Sequence, residues 1–188
     1  MINIIKKNLT AEHKVPLDFF GRTRPVMTGV YLQHKNYKVI NNFLDWLLER
    51  KKMEILDYMS NPALSDDTRQ VGLMEANNFY VAECWGILYN NKRPRVQEHN
   101  HFPYAFSFIY YVNVPKGSAN VNINGIEHKV KEGTVIIFPA NLFHYVEDNQ
   151  AENRIAFVGN IAYDISFLSD NSFIDMKIQE INMNNLSK

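Results

Sequence analysis

From Asn77 to Ile161 the chain falls into short β-branched and aromatic runs separated by turn residues, and this punctuation restricts the fold more than any other feature. Phe79 to Tyr89 is one such run, broken by Asn90-Asn91, and Phe106 to Val114 is another, ended by Pro115-Lys116-Gly117-Ser118. Val121-Asn122-Ile123 alternates and meets Asn124-Gly125, a pair suited to the positive φ angles of a two-residue hairpin, so Ile126 to Val130 is read as its partner strand. Thr134 to Phe138 reads as a buried strand between Gly133 and Pro139, followed by strands over Leu142 to Val146 and Arg154 to Ile161. Many short strands at close spacing predict an antiparallel sandwich or barrel. The expected fold is mainly β in a single domain: residues 1–75 form a helical N-terminal flank, residues 77–162 the β core, and residues 163–188 a C-terminal extension, frayed from Glu180 onward.

The flank carries one clear helix, Asn36 to Ser60. Val39, Ile40, Phe43, Leu44, Leu47 and Leu48 recur at the i, i+3, i+4 spacing of a buried stripe, with Asp45, Glu49, Arg50 and Lys51 on the polar face. Asn36 is the expected N-cap and Pro62 the stop, and a short second helix is expected over Ser65 to Gln70. Trp46 and Trp85 are assigned to the core.

Composition narrows the function classes. The 188 residues, 46% of them hydrophobic, suffice for one well-packed core. Lys plus Arg and Asp plus Glu balance at 20 each, so the chain has no net charge and offers no electrostatic case for nucleic acid or a membrane surface. The basic stretch Lys92-Arg93-Pro94-Arg95 is short enough to be a solvated turn. A single cysteine, Cys84, excludes an intrachain disulfide and a Cys-rich zinc site, and its apolar neighbours make it a small buried hydrophobe. The apolar stretch at the N-terminus is too short for a signal peptide and no window reaches membrane-spanning length, so a cytoplasmic protein without membrane or nucleic-acid partners is expected.

Chemistry concentrates in His99-Asn100-His101, His144 and Arg154. Two imidazoles one residue apart on a strand point to the same side, and a third from another strand completes a metal-binding face. Read singly, each histidine is equally an ordinary polar residue of a sheet or loop. Gly133 to Pro139 and the five-residue step to His144 resemble a device for aiming one polar side chain into an apolar interior. Arg154 opens an apolar strand, where it either reaches solvent or meets an anion; beside three histidines, a carboxylate ligand is the better account. Phe102, Tyr104, Phe106 and Phe108 are assigned either to the core or to the lining of a substrate pocket, and His13, His34 and His128 to the surface.

These motifs resemble the 2-oxoglutarate/Fe(II)-dependent oxygenase superfamily. The closest pattern is that of an H-x-H subgroup with S-G-V-Y-Y-L, G-x-L-x-x-F-P-x-x-x-x-H and R-x-x-x-x-x-N segments. This chain carries His99-Asn100-His101, Ser107-Phe108-Ile109-Tyr110-Tyr111-Val112, Gly133 through Phe138-Pro139 to His144, and Arg154 through Asn160, about a third of its length and in that order. The resemblance implies a double-stranded β-helix (a jelly roll, cupin-like) with flanking N-terminal helices. It implies Fe(II) on His99, His101 and His144, and 2-oxoglutarate with its distal carboxylate on Arg154, assisted by Tyr110, Tyr111 or Ser107. It also implies hydroxylation of an unidentified substrate, with 2-oxoglutarate decarboxylated to succinate. The superfamily's usual second ligand is a carboxylate where His101 stands, and Glu98 would face away from His99 on a regular strand.

Two alternatives accompany this reading. A three-histidine cupin shares the barrel and the Gly133 to His144 segment, but Arg93 stands where the first cupin motif has Gly, and Ala105 where it has a ligand Glu. Such an enzyme needs no 2-oxoglutarate, and Arg154 would bind the substrate's own carboxylate. A non-catalytic jelly-roll module that binds a ligand or peptide is the other. The sequence does not fix the oligomeric state, but an edge-exposed jelly roll often dimerises, so a homodimer is one assembly it allows.

Overall fold

The computed structural model describes residues 1–9, 25–67, 76–90 and 95–164. The elements are α1 (Ile2–Lys7), β1 (Val26–Met27), a 3-10 turn (Leu32–Lys35), α2 (Lys38–Met59), β2 (Phe79–Tyr89), β3 (Val96–His99), β4 (Phe106–Asn113), β5 (Val121–Ile123), β6 (Ile126–His128), β7 (Val135–Pro139), β8 (His144–Val146) and β9 (Arg154–Tyr163). They form two antiparallel sheets, ordered β1-β2-β9-β4-β7 and β3-β8-β5-β6.

The topology follows from the hairpin that the sequence announces. Asn124 and Gly125 take φ angles of 51° and 80° and turn the chain between β5 and β6. Outward from that turn, β4 pairs with β7, β3 with β8, and β2 with β9. Strands β2 to β9 are therefore one long doubled ribbon. The ribbon rolls up because β4 also pairs with β9 and β5 with β8. Strands β2 to β9 thus form the jelly roll expected from the sequence, with β1 added at the edge of the larger sheet.

Strand alternation divides the apolar residues between two cores. Phe108, Val112, Ile155, Phe157 and Ile161 point outward and pack against Ile5 of α1 and Ile40, Leu44 and Leu47 of α2. Trp85, Ile87, Ile109, Tyr111, Ala156 and Val158 point inward and meet Val121, Ile123 and Val146 of the smaller sheet. Strand β9 is buried along most of its length because helices cover one face and the smaller sheet the other.

Several boundaries depart from the sequence reading. Helix α2 begins at Lys38 with Tyr37 as its cap, because Asn36 takes φ 53° and closes the preceding 3-10 turn. Trp46 is 49% exposed rather than core: it lies outside the arc that Ile40, Leu44 and Leu47 turn toward the sheet. Strand β7 is mostly half-buried, with Phe138 its one fully buried residue, since it forms the edge of the larger sheet. Strand β6 ends at His128. The second helix is present at Asp66 and Asp67, and its continuation to Gln70 lies outside the described residues, as do Lys92 to Pro94, His13 and the tail from Glu180.

Gly159 is a point of close approach between the sheet and the outer core. A Cβ there would stand 2.5 Å from the Glu83 carbonyl oxygen, 2.7 Å from the Phe108 ring and 2.8 Å from the Cys84 Cβ. Gly159→Ala is expected to destabilise the fold by about 2–3 kcal/mol through overpacking. A drop in the urea midpoint at unchanged m-value checks this, and an unchanged midpoint would contradict the packing described.

Candidate metal centre

His99 closes β3, His144 opens β8, and the two are direct cross-strand partners. His101 lies beyond the end of β3, so strand alternation does not place it. The loop does: its backbone N–H donates to the Ala140 carbonyl at 2.8 Å, and Tyr104 N–H donates back to the His101 carbonyl at 3.0 Å. The three rings still converge. Their centroids are 4.3 Å apart for His99–His144, 4.8 Å for His99–His101 and 5.1 Å for His101–His144. One potential ligand atom from each lies within 4.8 Å of the others.

Two of the rings are oriented by backbone. His99 Nδ1 lies 2.7 Å from the Gln97 carbonyl oxygen, and His144 Nδ1 lies 3.3 Å from that of Leu142. An imidazole donating from Nδ1 keeps the lone pair of Nε2 for a metal. His101 Nδ1 instead meets the Asn160 carboxamide at 3.2 Å. Asn160 is held in turn: Ser107 Oγ donates to its Oδ1 at 2.8 Å, and its Nδ2 donates to Glu83 Oε1 at 2.8 Å.

All three imidazoles are held in the neutral form. Burial lowers the His101 pKa to about 3, helped by its histidine neighbours, and lowers that of His144 to about 4 in the same way. Burial also lowers that of His99, against the opposing pull of the carbonyls that accept from it.

The cluster opens into a cavity of about 300 Å³ between the sheets. Its walls are mainly apolar, including Met27, Ile87, Val96, Ile109, Val121, Val146, Ala156 and Val158. Arg154 also lines it and is 1% exposed. Its guanidinium lies 4.2 Å from the Tyr89 ring and 5.6 Å from the Tyr111 ring. Its Nε and Nη1 find no hydrogen-bond acceptor among the described residues, and the buried Tyr111 hydroxyl and Trp85 Nε1 likewise have no partner there. A buried cation with unused donors is costly unless an anion joins it.

The structure therefore brings His99, His101, His144, Arg154, Ser107 and Tyr111 to the interior. Tyr110 does not join them. It alternates with Ser107, Ile109 and Tyr111 along β4, so its ring turns outward and stacks on Phe43 of α2 at 4.7 Å. Phe106 and Phe108 share that outward face and belong to the outer core, although Phe108 also touches the cavity wall, while Phe102 is 77% exposed and Tyr104 half-buried. Glu98 is exposed and lies outside the histidine cluster. His34 is exposed and stacks on Tyr31, and His128 is half-buried at the end of β6. Cys84 is fully buried; burial raises its thiol pKa to about 12.

Sequence reasoning missed Tyr89, Glu83 and the bridging role of Asn160. Tyr89 and Arg154 are register partners, as are Glu83 and Asn160. The apolar alternation of Trp85, Ile87 and Tyr89 shows that they share a face, but register between strands 65 residues apart in sequence is not written locally.

No protein-family model matches the chain. No curated protein is similar to it in sequence. Solved structures do resemble it in part. An oxidoreductase of the 2OG-Fe(II) oxygenase family from Burkholderia pseudomallei is 15% identical over 52% of this chain and 53% of its own, with a TM-score of 0.41. A Pseudomonas putida prolyl-4-hydroxylase is 18% identical over 55% of this chain and 69% of its own, with a TM-score of 0.38. An RmlC-like cupin from Shewanella frigidimarina is 15% identical over 48% of this chain and 71% of its own, with a TM-score of 0.34. The chain spans about half the length of the Burkholderia protein. Among the described residues, no helix is long and apolar enough to cross a membrane.

The lowered histidine pKa values set the sign of the acid response of the metal-free protein. Between the ordinary imidazole value of 6.5 and the folded values of about 3 and 4, the unfolded chain binds more protons than the folded one. Stability is therefore fully present above that window and falls as pH is lowered through it. The urea midpoint should drop between about pH 7 and about pH 5. A variant with all three histidines changed to Gln should lose most of that slope; an equal slope in the variant would show that other groups cause it.

Proposed function

We propose that the chain is a non-haem Fe(II) oxygenase that uses 2-oxoglutarate. His99, His101 and His144 hold the metal, and Arg154 receives the distal carboxylate of the co-substrate. The observation that carries this reading is the buried Arg154 guanidinium, with two N–H sides unsatisfied among the described residues, in the same cavity as three converging neutral imidazoles. The site's chemistry suits the ligands: nitrogen donors for a divalent transition metal, and a preformed cation for a dicarboxylate.

Each side chain then has a task. Tyr89 lies against the guanidinium and positions it, and the unpartnered Tyr111 hydroxyl supplies a further donor beside it. Ser107 has its hydroxyl proton committed to Asn160, so it acts on the orientation of His101 rather than on the co-substrate. The apolar walls exclude water and strengthen the Arg154–carboxylate attraction. When bound, iron with 2-oxoglutarate and dioxygen supplies the oxidising chemistry that hydroxylates a C–H bond and releases succinate and carbon dioxide.

The three-histidine cupin remains the second reading, and one observation favours it. Among the described residues the cluster holds no carboxylate: Glu98 lies outside it, and the Glu83 carboxylate reaches Asn160 rather than the imidazoles' centre. On that reading Arg154 binds the substrate's own carboxylate.

Anaerobic titration with Fe(II) and then 2-oxoglutarate separates the readings. The oxygenase should develop the weak visible charge-transfer band of the chelate. Arg154→Ala should retain iron and weaken 2-oxoglutarate binding by about 100-fold or more, as expected for loss of a buried charge partner. His144→Ala should lose iron while keeping the fold by circular dichroism. Iron binding without the band selects the cupin reading, and failure to bind iron removes both.

A further inference from the structure

The barrel end beside His101 carries a group of side chains of which only Glu83 serves the metal centre, through Asn160. A β-bulge between Val81 and Glu83 shifts the register of β2 against β9. Before the bulge Val81 packs on the helix side; after it Trp85, Ile87 and Tyr89 point into the barrel. The shift leaves Tyr80 and Glu83 together on the barrel-side face, opposite Ala162 and Asn160. Tyr31 bridges to Cys84, next to Glu83. The turn from His101 to Tyr104 brings the Tyr104 hydroxyl to the Glu83 carboxylate, within electrostatic range of Tyr31 and Tyr80.

Glu83 is half-buried, and its polar contacts are the Asn160 carboxamide and the Tyr104 hydroxyl; no cation pairs with it among the described residues. Tyr31 and Tyr80 are 56% and 47% exposed. Phenol ring faces and a carboxylate all present negative potential, so the patch repels anions. An uncharged apolar partner would bury the carboxylate without a counter-charge. A cation on an aliphatic stem satisfies both the rings and the carboxylate.

We propose that Glu83, Tyr31, Tyr80 and Tyr104 form a receptor for a cationic side chain of the substrate, an alkylammonium or guanidinium group, placed beside the histidine cluster. As a statement about substrate class this rests on the metal-centre reading above. The geometry keeps the two charges apart. Arg154 and Asn160 are six residues apart on β9, about 20 Å along an extended strand. His101 touches Asn160 and lies 5.9 Å from the Trp85 ring, between those ends. A substrate held by its cation at Glu83 would run its stem past the cluster, while an anion at Arg154 occupies the opposite side.

Calorimetric titration of the full chain with acetyl-Gly-Lys-Gly-amide and its norleucine counterpart tests this. The lysine peptide should bind about tenfold more tightly, with a preference that weakens as salt rises. Tyr80→Ala and Glu83→Gln should each erase the preference, and Tyr31→Ala, at a more exposed position, should reduce it. In Tyr80→Ala and Tyr31→Ala the affinity for Fe(II) should be unchanged. Equal binding of the two peptides, no binding, or a preference that survives all three substitutions overturns the receptor. A lysine preference in a protein that fails to bind Fe(II) would instead remove the oxygenase reading and leave the receptor standing.

Discussion

The antiparallel ladder between β2 and β9 runs from Phe79 opposite Tyr163 to Tyr89 opposite Arg154, and both ends of the interior are built on it. At one end the register places the Tyr89 ring against the Arg154 guanidinium. Toward the other it sets Glu83 opposite Asn160, which meets His101. A slip of one residue would turn Arg154 toward the helices and Ile155 into the cavity. The close approach at Gly159, where no Cβ fits, fixes the ladder against Cys84 and Phe108. The ladder is also central: β9 pairs with β4 on its other side, so the larger sheet is organised around it.

The interior stores charge in an unusual balance. Three imidazoles are kept neutral by burial, whereas the Arg154 guanidinium is buried with donors to spare among the described residues. Neither arrangement serves packing. A folded chain with no ligand carries the desolvation of a cation that a leucine would avoid. Apolar walls would strengthen the attraction of the same cation for any anion that entered the cavity. The backbone carbonyls of Gln97 and Leu142 orient His99 and His144 without help from distant side chains. His101 depends instead on a side-chain chain of contacts through Asn160 to Ser107 and Glu83.

Alternation and turn chemistry made the barrel legible. The Asn124-Gly125 hairpin and the Gly- and Pro-bounded runs placed the β-strands of the ribbon other than β3 within a few residues, because these signals act within a hairpin. The sequence reading kept Tyr110 beside Tyr111, although the same period-two rule sets Ser107, Ile109 and Tyr111 on one face and Tyr110 on the other. That rule was insufficient for His101, which leaves the strand and is placed by a hydrogen bond to Ala140. Asn36 shows the limit at helix ends: a residue with good capping chemistry was taken by the left-handed turn before the helix. Trp46 shows it on helix faces, where size and hydrophobicity do not decide which side meets the sheet.

The sequence by itself determined the β architecture, the nested hairpin at its centre, and the residue types able to hold a metal and an anion. Those follow from local backbone preference and from side-chain chemistry, both of which act over a few residues. Only the tertiary structure decided that His99, His101 and His144 converge, that Arg154 is buried with no counter-charge among the described residues, and that Tyr89, Asn160 and Glu83 attend them. These depend on the register between β2 and β9 and on one bulge, and register is set by the packing of two cores at once rather than by any stretch of chain read alone.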